Sequence, residues 1–513
     1  MNDKSRNQIK YGALISYVLI IANALFGIFV TPFILKYLGD SSYGVYKTMG
    51  SLSSSLLILD LGIGGTLMRY IAKYRANAQD DRIGAFISIV MCETGIILPC
   101  IALAEFVLYA QIDAMYSKSF SQEELLLAKS VFIILALNIL LNIIENFLNG
   151  IISGYNDFIF ANSMHLMKLT MRILLILVVL PITQSALFLV TVNLILSVVN
   201  IVIQLIYILT RYRFRLTFDR SKWEKGIFKE SFFYTLLIFL TTIAAQVNGN
   251  LDNVIIGAFC GSEMVTVYSF GLVIFSMFEQ VSTAISGVAL PTVSKIVTEP
   301  DWQEKVQAFI IKLGRVQFAL LGAVAVGFAV LGNEFLGLWL GDGFGDVYYI
   351  VLILMIPSLF ELCVNVCLSV LRAKNMLGFR TTVLVLSTLL NLVVSIAGIK
   401  QLGYFSAALG TAASFTVGSL IVMNIYYYKK LNFNMLSIYG GIVRRTLPCL
   451  LIAGGAILLT SRFLHGSWLA FVANGAVFVL VYGALMLIWG FSEDERNAVT
   501  RIIGNIMKKR INK

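Results

Sequence analysis

Stretches of about twenty apolar residues, the length a helix needs to cross hydrocarbon, recur along almost the whole chain, separated by short charged or Gly/Pro breaks. In lipid every backbone N–H and C=O must be satisfied within the protein, so such stretches can only be helices or a closed barrel. Runs this long fit helices. Reading them from break to break places spans near 11–35, 44–68, 84–108, 125–150, 163–182, 185–210, 230–258, 266–290, 307–334, 346–371, 380–400, 403–428, 443–462 and 468–491, fourteen in all. Composition agrees: 58% of residues are hydrophobic and 13% charged, where soluble domains carry about a quarter charged, and the mean hydropathy is +0.85. The expectation is an all-α polytopic membrane protein of fourteen transmembrane helices. The first segment, "MNDKSRNQIK" continuing apolar to Leu35, is too long for a signal-peptide core and reads as a retained span.

The net charge of +11 is informative through its distribution. Arg69, Lys73, Arg75 and Arg82 share one loop, and Arg211, Arg213, Arg215, Arg220, Lys222, Lys225 and Lys229 share another. Lys295/Lys305, Arg372/Lys374/Arg380, Lys429/Lys430/Arg444/Arg445 and the tail "MKKRINK" fall on the same side as these, while "NEFLGLWLGDGFGD" has no basic residue. By the positive-inside rule both termini are cytoplasmic. Topology and anionic lipid account for the basic loops, so nucleic acid is not an expected partner. Four of the six cysteines are expected, with Cys363 and Cys367, as small core residues rather than disulfide or zinc ligands.

An internal echo organises the spans. "YLGDSSYGVYKTM" from Tyr37 matches "FCGSEMVTVYSFG" from Phe259, with Gly39 over Gly261, Val45 over Val267 and Tyr46 over Tyr268, an offset of 222; "GYNDFIF" at Gly154 echoes "AKNMLGF" at Ala373 at offset 219. Two matches at nearly one offset predict two six-span lobes, 1–210 and 230–428, joined by a basic cytoplasmic linker, 211–229. Spans 13 and 14 (429–491) and a basic cytoplasmic tail (492–513) follow.

Polar residues inside spans are costly, so they mark cavities or pairs. Asp60, Glu93, Glu145, Arg172, Asp252, Glu279, Arg315 and Glu361 qualify, while Lys168, Lys312 and Arg69 lie close enough to span ends to snorkel. In "QVNGNLDNVIIG", Gln246, Asn250 and Asp252/Asn253 continue a helical stripe from Thr235 and Thr242, answered in the next span by Ser276, Glu279/Gln280 and Thr283. The reading is one wall of a polar cavity rather than interhelical glue. Arg69, Arg172, Arg315 and Arg372 are candidates for an electropositive vestibule, since guanidinium binds phosphate in a bidentate fork; Asp60, Gln246, Asn250 and Gln280 join them as candidate substrate contacts. Two histidines, His165 and His465, give no metalloprotease motif, triad or metal cluster, and no phosphate-binding loop appears, so an enzyme is not expected.

Gln246 to Ile296 resembles the polysaccharide and lipid-linked oligosaccharide flippases of the multidrug/oligosaccharidyl-lipid/polysaccharide (MOP) exporter superfamily, and "PFILKYLGDSSYGVY" with "DLGIGGTLMRYIAKY" is similar to the first spans of Wzx-type flippases. The resemblance implies a two-lobed MATE-like alternating-access transporter moving an undecaprenyl-diphosphate-linked oligosaccharide from the inner to the outer leaflet of a bacterial cytoplasmic membrane. It also implies a coupling-cation site at Asp252, with Asn391 and Thr411, for Na+ or H+ and no other cofactor. Expected partners are the polyprenyl-diphosphate glycan, membrane lipids and other polysaccharide-assembly membrane proteins. Span 1, "SYVLIIANALFGIFVTPFILKY", has no arginine where lipid II flippases carry diphosphate-binding ones, which turns the expectation to capsule, O-unit, teichoic or exopolysaccharide precursors. The alternatives are a cation-coupled multidrug exporter of the same superfamily and a membrane polysaccharide polymerase or glycosyltransferase.

Overall fold

The computed structural model describes residues 3–55, 62–77, 79–212, 216, 250–287, 289–374, 376–493 and 495–496. Asp60, Gln246, Thr235, Thr242, nearly all of the 211–229 linker and the tail beyond 496 lie outside the described residues.

The described chain is all-α, as the self-satisfied backbone of a membrane segment requires. The first half comprises α1 (Asp3–Leu25), a π-helical turn (Phe26–Val30), α2 (Thr31–Leu38), α3 (Asp40–Ser54), α4 (Ile63–Ala76), α5 (Asp80–Tyr116), α6 (Gln122–Gly154), α7 (Phe158–Thr183) and α8 (Ala186–Arg211). Next come α9 (Asn250–Cys260), α10 (Ser262–Ser286), α11 (Ala289–Ile296), α12 (Trp302–Leu340), α13 (Gly345–Cys363), α14 (Val366–Ala373) and α15 (Leu377–Leu402). The last are α16 (Phe405–Ser414), a second π-helical stretch (Phe415–Val422), α17 (Met423–Leu431), α18 (Met435–Thr460) and α19 (Trp468–Leu485), which runs into a third (Met486–Gly490).

Among the described residues, 12 helices are long and apolar enough to cross a membrane, at the first, third to sixth and eighth to fourteenth expected positions. The second expected span, 44–68, is carried by α3 and α4 on either side of residues 56–61, and the seventh is described only as α9. The third span runs further than its apolar core suggests: α5 has 37 residues and continues to Tyr116 rather than stopping near 108. Glu105 therefore sits well inside a helix rather than at its end.

The chain divides into two compact units, Met1–Ser269 with Leu392–Ala407, and Phe270–Asn391 with Ala408–Lys513. In the first unit Leu67 and Ile71 of α4 pack with Phe86 of α5, Ile143 and Ile152 of α6 and Ile208 of α8. Glycines set how closely α4 and α6 approach: a Cβ on Gly64 would lie 2.8 Å from the Asn146 carbonyl oxygen, and one on Gly150 would lie 2.7 Å from the Gly64 Cα. Such small-residue contacts let membrane helices pack without a hydrophobic driving force.

The two glycines aligned by the repeat take the same role. Gly39 has φ +76° ahead of α3 and Gly261 has φ +92° ahead of α10, left-handed positions that glycine adopts without steric cost. The two helix starts then meet. The Ser41 hydroxyl donates to Glu124 Oε1 at 2.6 Å, the Ser262 hydroxyl donates to the same oxygen, and the Thr266 hydroxyl donates to the Asp40 carbonyl at 2.6 Å. Glu124 also closes a capping box with Ser121 at the start of α6.

In the second unit Val306 and Ile310 of α12, Val366 and Val370 of α14, and Ile438 and Ile442 of α18 form the core. Cys363, Cys367 and Cys449 are buried thiols, whereas Cys92 and Cys100 are exposed. The core expectation fails for those two because an apolar helix face can look onto lipid as readily as onto protein. Ile96, Phe106, Ile182, Leu209, Leu469 and Leu480 are exposed for the same reason.

The meeting of α3 and α10 can be probed directly. A Cβ on Gly44 would fall 1.8 Å from the Ser262 carbonyl oxygen, whereas one on Gly50, in the same helix, meets nothing within 4 Å. Gly44→Ala should cost about 1–3 kcal/mol through overpacking and lower the thermal midpoint of the detergent-solubilised protein, with Gly50→Ala neutral or slightly stabilising.

Candidate functional site

α3, sequence DSSYGVYKTMGSLSS, presents two tyrosines and a lysine on successive turns near its start. Lys47 Nζ lies 5.4 Å from the Tyr43 ring centroid. From α7, Arg172 reaches the same place: its Nη2 donates to the Tyr46 hydroxyl at 3.5 Å and its guanidinium lies 5.1 Å from the Phe26 ring centroid. The two cations are near enough for the charge of Arg172 to act on Lys47. Among the described residues neither forms an ion pair with a carboxylate, and Arg172 Nε is buried with no hydrogen-bond partner. Two positive groups held by aromatic rings and phenols, with an unused donor between apolar helices, have the chemistry to take an anion. Of the four arginines singled out from sequence, Arg172 is the one placed there. Lys47 was missed, although a lysine four residues into the expected second span was a visible signal.

The other three arginines stand elsewhere. Arg69 and Arg372 are exposed on α4 and α14. Arg315 is taken up within the second unit: its Nη1 donates to both oxygens of Glu495 at 3.2 Å, and its Nε and Nη2 donate to the Gly441 carbonyl at 3.3 and 3.1 Å.

Further along α3, Ser51 and Ser53 are buried. Asn253 Nδ2 donates to the Ser51 hydroxyl at 2.9 Å, and the Ser269 hydroxyl reaches Asn253 Oδ1 at 3.5 Å. Asp252, 2% exposed, accepts from the Tyr268 hydroxyl at 2.6 Å. Asn391 and Thr411, both buried in the second unit, meet through a 3.1 Å bond from Asn391 Nδ2 to Thr411 Oγ1. Asn250 is half-buried, and Gln280 bonds within its own helix, to the Ser276 carbonyl at 3.2 Å.

Lys168 overturns its snorkelling assignment. Its Nζ bonds Glu145 Oε2 at 2.7 Å inside the first unit, and Asn200 Nδ2 donates to the other Glu145 oxygen. The pair persists because removing either partner would leave a charge without compensation in a low dielectric. At the end of α6 the GYNDFIF segment forms a knot around Asp157, whose Oδ2 accepts from Tyr207 and Tyr212 at 3.2 and 2.6 Å, while Tyr155 stacks on Tyr212 with centroids 4.0 Å apart. Burial and the Asp157 carboxylate push the Tyr212 phenol above its ordinary range. Among the described residues no cluster of three His, Cys, Asp or Glu could hold a metal.

Residues 9–297, over half of the chain, match the family described as polysaccharide biosynthesis protein. Two Haloferax volcanii proteins are similar: "Probable flippase AglR", 28% identical over 34% of this chain and 37% of its own, and "Probable low-salt glycan biosynthesis flippase Agl15", 24% identical over 39% and 42%. The matched segments thus span about two fifths of those relatives. Among solved structures, "Lipid II flippase MurJ, inward closed conformation" aligns over 93% of this chain and 98% of its own with TM-score 0.71 and 13% identity. An inward-facing multidrug resistance MATE family transporter of the MOP superfamily aligns over 81% and 100% with TM-score 0.59 and 14% identity. At such identities the likeness is one of fold.

The Glu145–Lys168 pair makes its own prediction. Lys168→Met should destabilise the nanodisc-embedded protein by about 3 kcal/mol, the order seen when one partner of a buried pair is removed. The double variant Glu145→Gln/Lys168→Met should recover most of the lost thermal midpoint.

Proposed function

The chain belongs to the polysaccharide biosynthesis protein family, and from that membership we propose that it is an alternating-access flippase for a lipid-linked glycan precursor, with Lys47 and Arg172 taking the anionic head group. The observation that carries this reading is a pair of cations set among membrane helices with no carboxylate partner among the described residues. Two uncompensated positive charges at that depth are costly and are retained where a ligand supplies the counter-charge. A polyprenyl diphosphate supplies it, and its phosphate oxygens can accept both the Lys47 ammonium and the free Nε of Arg172.

In this reading the cargo is an undecaprenyl-diphosphate-linked oligosaccharide of the capsule, O-unit, exopolysaccharide or teichoic type. It moves from the inner to the outer leaflet of a bacterial cytoplasmic membrane, with both termini cytoplasmic as the basic loops predict. Arg69 and Arg372, each exposed on its own helix, are candidates for meeting the diphosphate. Asp252, Asn391 and Thr411 are the candidates for binding a coupling cation, Na+ or H+. Arg315, engaged by Glu495 and Gly441, is a brace and not a substrate ligand. The names of the Haloferax volcanii relatives support glycan flipping, and the MurJ-like fold supports alternating access.

The test is reconstitution into liposomes with a fluorescent polyprenyl-diphosphate glycan. Each charge-assisted contact is worth about 1.5–3 kcal/mol, so Lys47→Met and Arg172→Leu should each weaken head-group binding roughly 10- to 100-fold, and the double variant should abolish flipping. Arg315→Leu should retain binding. Wild-type protein that exports a cationic drug while leaving every polyprenyl-diphosphate glycan in place would sink the proposal.

A further inference from the structure

Among the described residues, Glu105 is a buried carboxyl group that the function above leaves unused and that no cation pairs. It lies on α5, 3% exposed, and turns inward with Ile101 and Ile112, both fully buried, while Leu103, Phe106 and Val107 beside it are exposed. The Ser53 hydroxyl bonds its Oε1 at 3.0 Å, and Oε2 is buried with no hydrogen-bond partner among the described residues. Glu145 in the same unit shows what an ionised carboxylate needs at this depth, since Lys168 and Asn200 occupy its two oxygens. Glu105 has a single neutral hydroxyl.

Among the described residues, the charged and titratable groups on the surrounding helices do not substitute for a counter-ion. On α6, Glu124 is held by Ser41, Ser121 and Ser262, Lys129 bonds Asp113 at 2.6 Å, and Glu145 bonds Lys168. Asp113 is about 12 Å further along α5 at 1.5 Å per residue. On α4, Arg69, Lys73 and Arg75 lie toward the end that leads into α5, and Glu105 is about 37 Å beyond the start of that helix. Tyr70 and Tyr74 of α4 pack on Phe86, near the same start. On α3, Tyr43, Tyr46 and Lys47 belong to the cation cluster, six or more residues before Ser53. An ionised carboxylate with one hydroxyl for company costs several kcal/mol in hydrocarbon, and protonation removes that cost.

We propose that Glu105 is a proton-carrying site, protonated in this conformation and able to exchange its proton with water only when α5 and α3 move apart. The step is a simple transfer: when the site is wet a hydronium ion gives its proton to the carboxylate and becomes water, and when it is next wet the carboxyl returns the proton to water as hydronium. The device has a mechanical link. Ser53 is two residues from Ser51, which receives the Asn253 amide, and α3 also carries Lys47. One helix therefore joins the proton site to α9 and to the anion site. That coupling rests on the flippase reading, whereas the protonation itself does not.

The experiment has two arms on the full chain. Infrared spectra of the protein in lipid nanodiscs at neutral pH should contain a protonated-carboxyl carbonyl component that is lost in Glu105→Gln and survives in Glu93→Gln. An unchanged band in Glu105→Gln overturns the assignment. In liposomes, a pH gradient should stimulate flipping by wild-type protein, and in Glu105→Gln that stimulation should fall to a ratio of one with head-group binding retained. Glutamine matches the neutral acid in shape and folds in its place; Ser53→Ala, which leaves the carboxyl intact, should keep the infrared band and shift its frequency. Stimulation undiminished in Glu105→Gln overturns the coupling. Absence of any flipping by wild-type protein counts against the flippase reading alone, because the infrared arm needs no substrate.

Discussion

A polar group at membrane depth must find its partner within the protein or bring one with it, and α3 is where this constraint is met most often. Over fifteen residues the helix supplies a backbone carbonyl to Thr266, a hydroxyl to Glu124, a cation cluster with Arg172, a hydroxyl to Asn253 and a hydroxyl to Glu105. Gly44 lets it approach α10 closely enough for the first of these. A helix bound on so many sides moves as a body or not at all. Displacing it would disturb the anion site, the α9 contact and the buried acid together, which is how a single element can make distant events depend on one another.

Acids of the first unit show how partners decide charge. Glu124 accepts from two hydroxyls and a backbone N–H, which together hold a carboxylate comfortably. Glu145 has a lysine and an amide. Asp252 receives the Tyr268 phenol, and Glu105 has one serine. From Glu124 and Glu145 to Glu105 the compensation falls, and the ability to hold a negative charge falls with it.

Hydropathy made most of this architecture legible, because a spanning helix advertises itself in about twenty residues whatever it packs against. The repeat was legible at Gly39 and Gly261, where a left-handed turn demands the same residue twice. Partners were not legible. Arg315 finds Glu495 180 residues away, and Lys168 finds Glu145 on a neighbouring helix rather than the interface. Periodicity fixes a residue's face on its own helix but says nothing about which helix faces it. Glu105 escaped notice because the apolar core of its span ends near 108 while the helix continues to Tyr116, and Cys92 and Cys100 were misplaced because lipid and protein core have the same polarity.

The cation pair and the lone acid differ in what they require. The Arg172 guanidinium stays charged in any environment a protein offers, so the cost of the cluster is relieved by an anion arriving from outside. Glu105 can shed its cost alone, by taking a proton. An anion site with no resident acid is left uncompensated when its ligand leaves, and an acid with no resident cation gives up its proton only when water reaches it. Placed on one helix, the two would respond to different ligands through one movement in the proposed flippase: the state of α3 that admits the head group to its start would also decide whether Ser53 still seals the carboxyl at its end. In the proposed flippase, linkage would make each ligand shift the other's binding by the same factor, so a proton would bias the movement of a lipid without touching it.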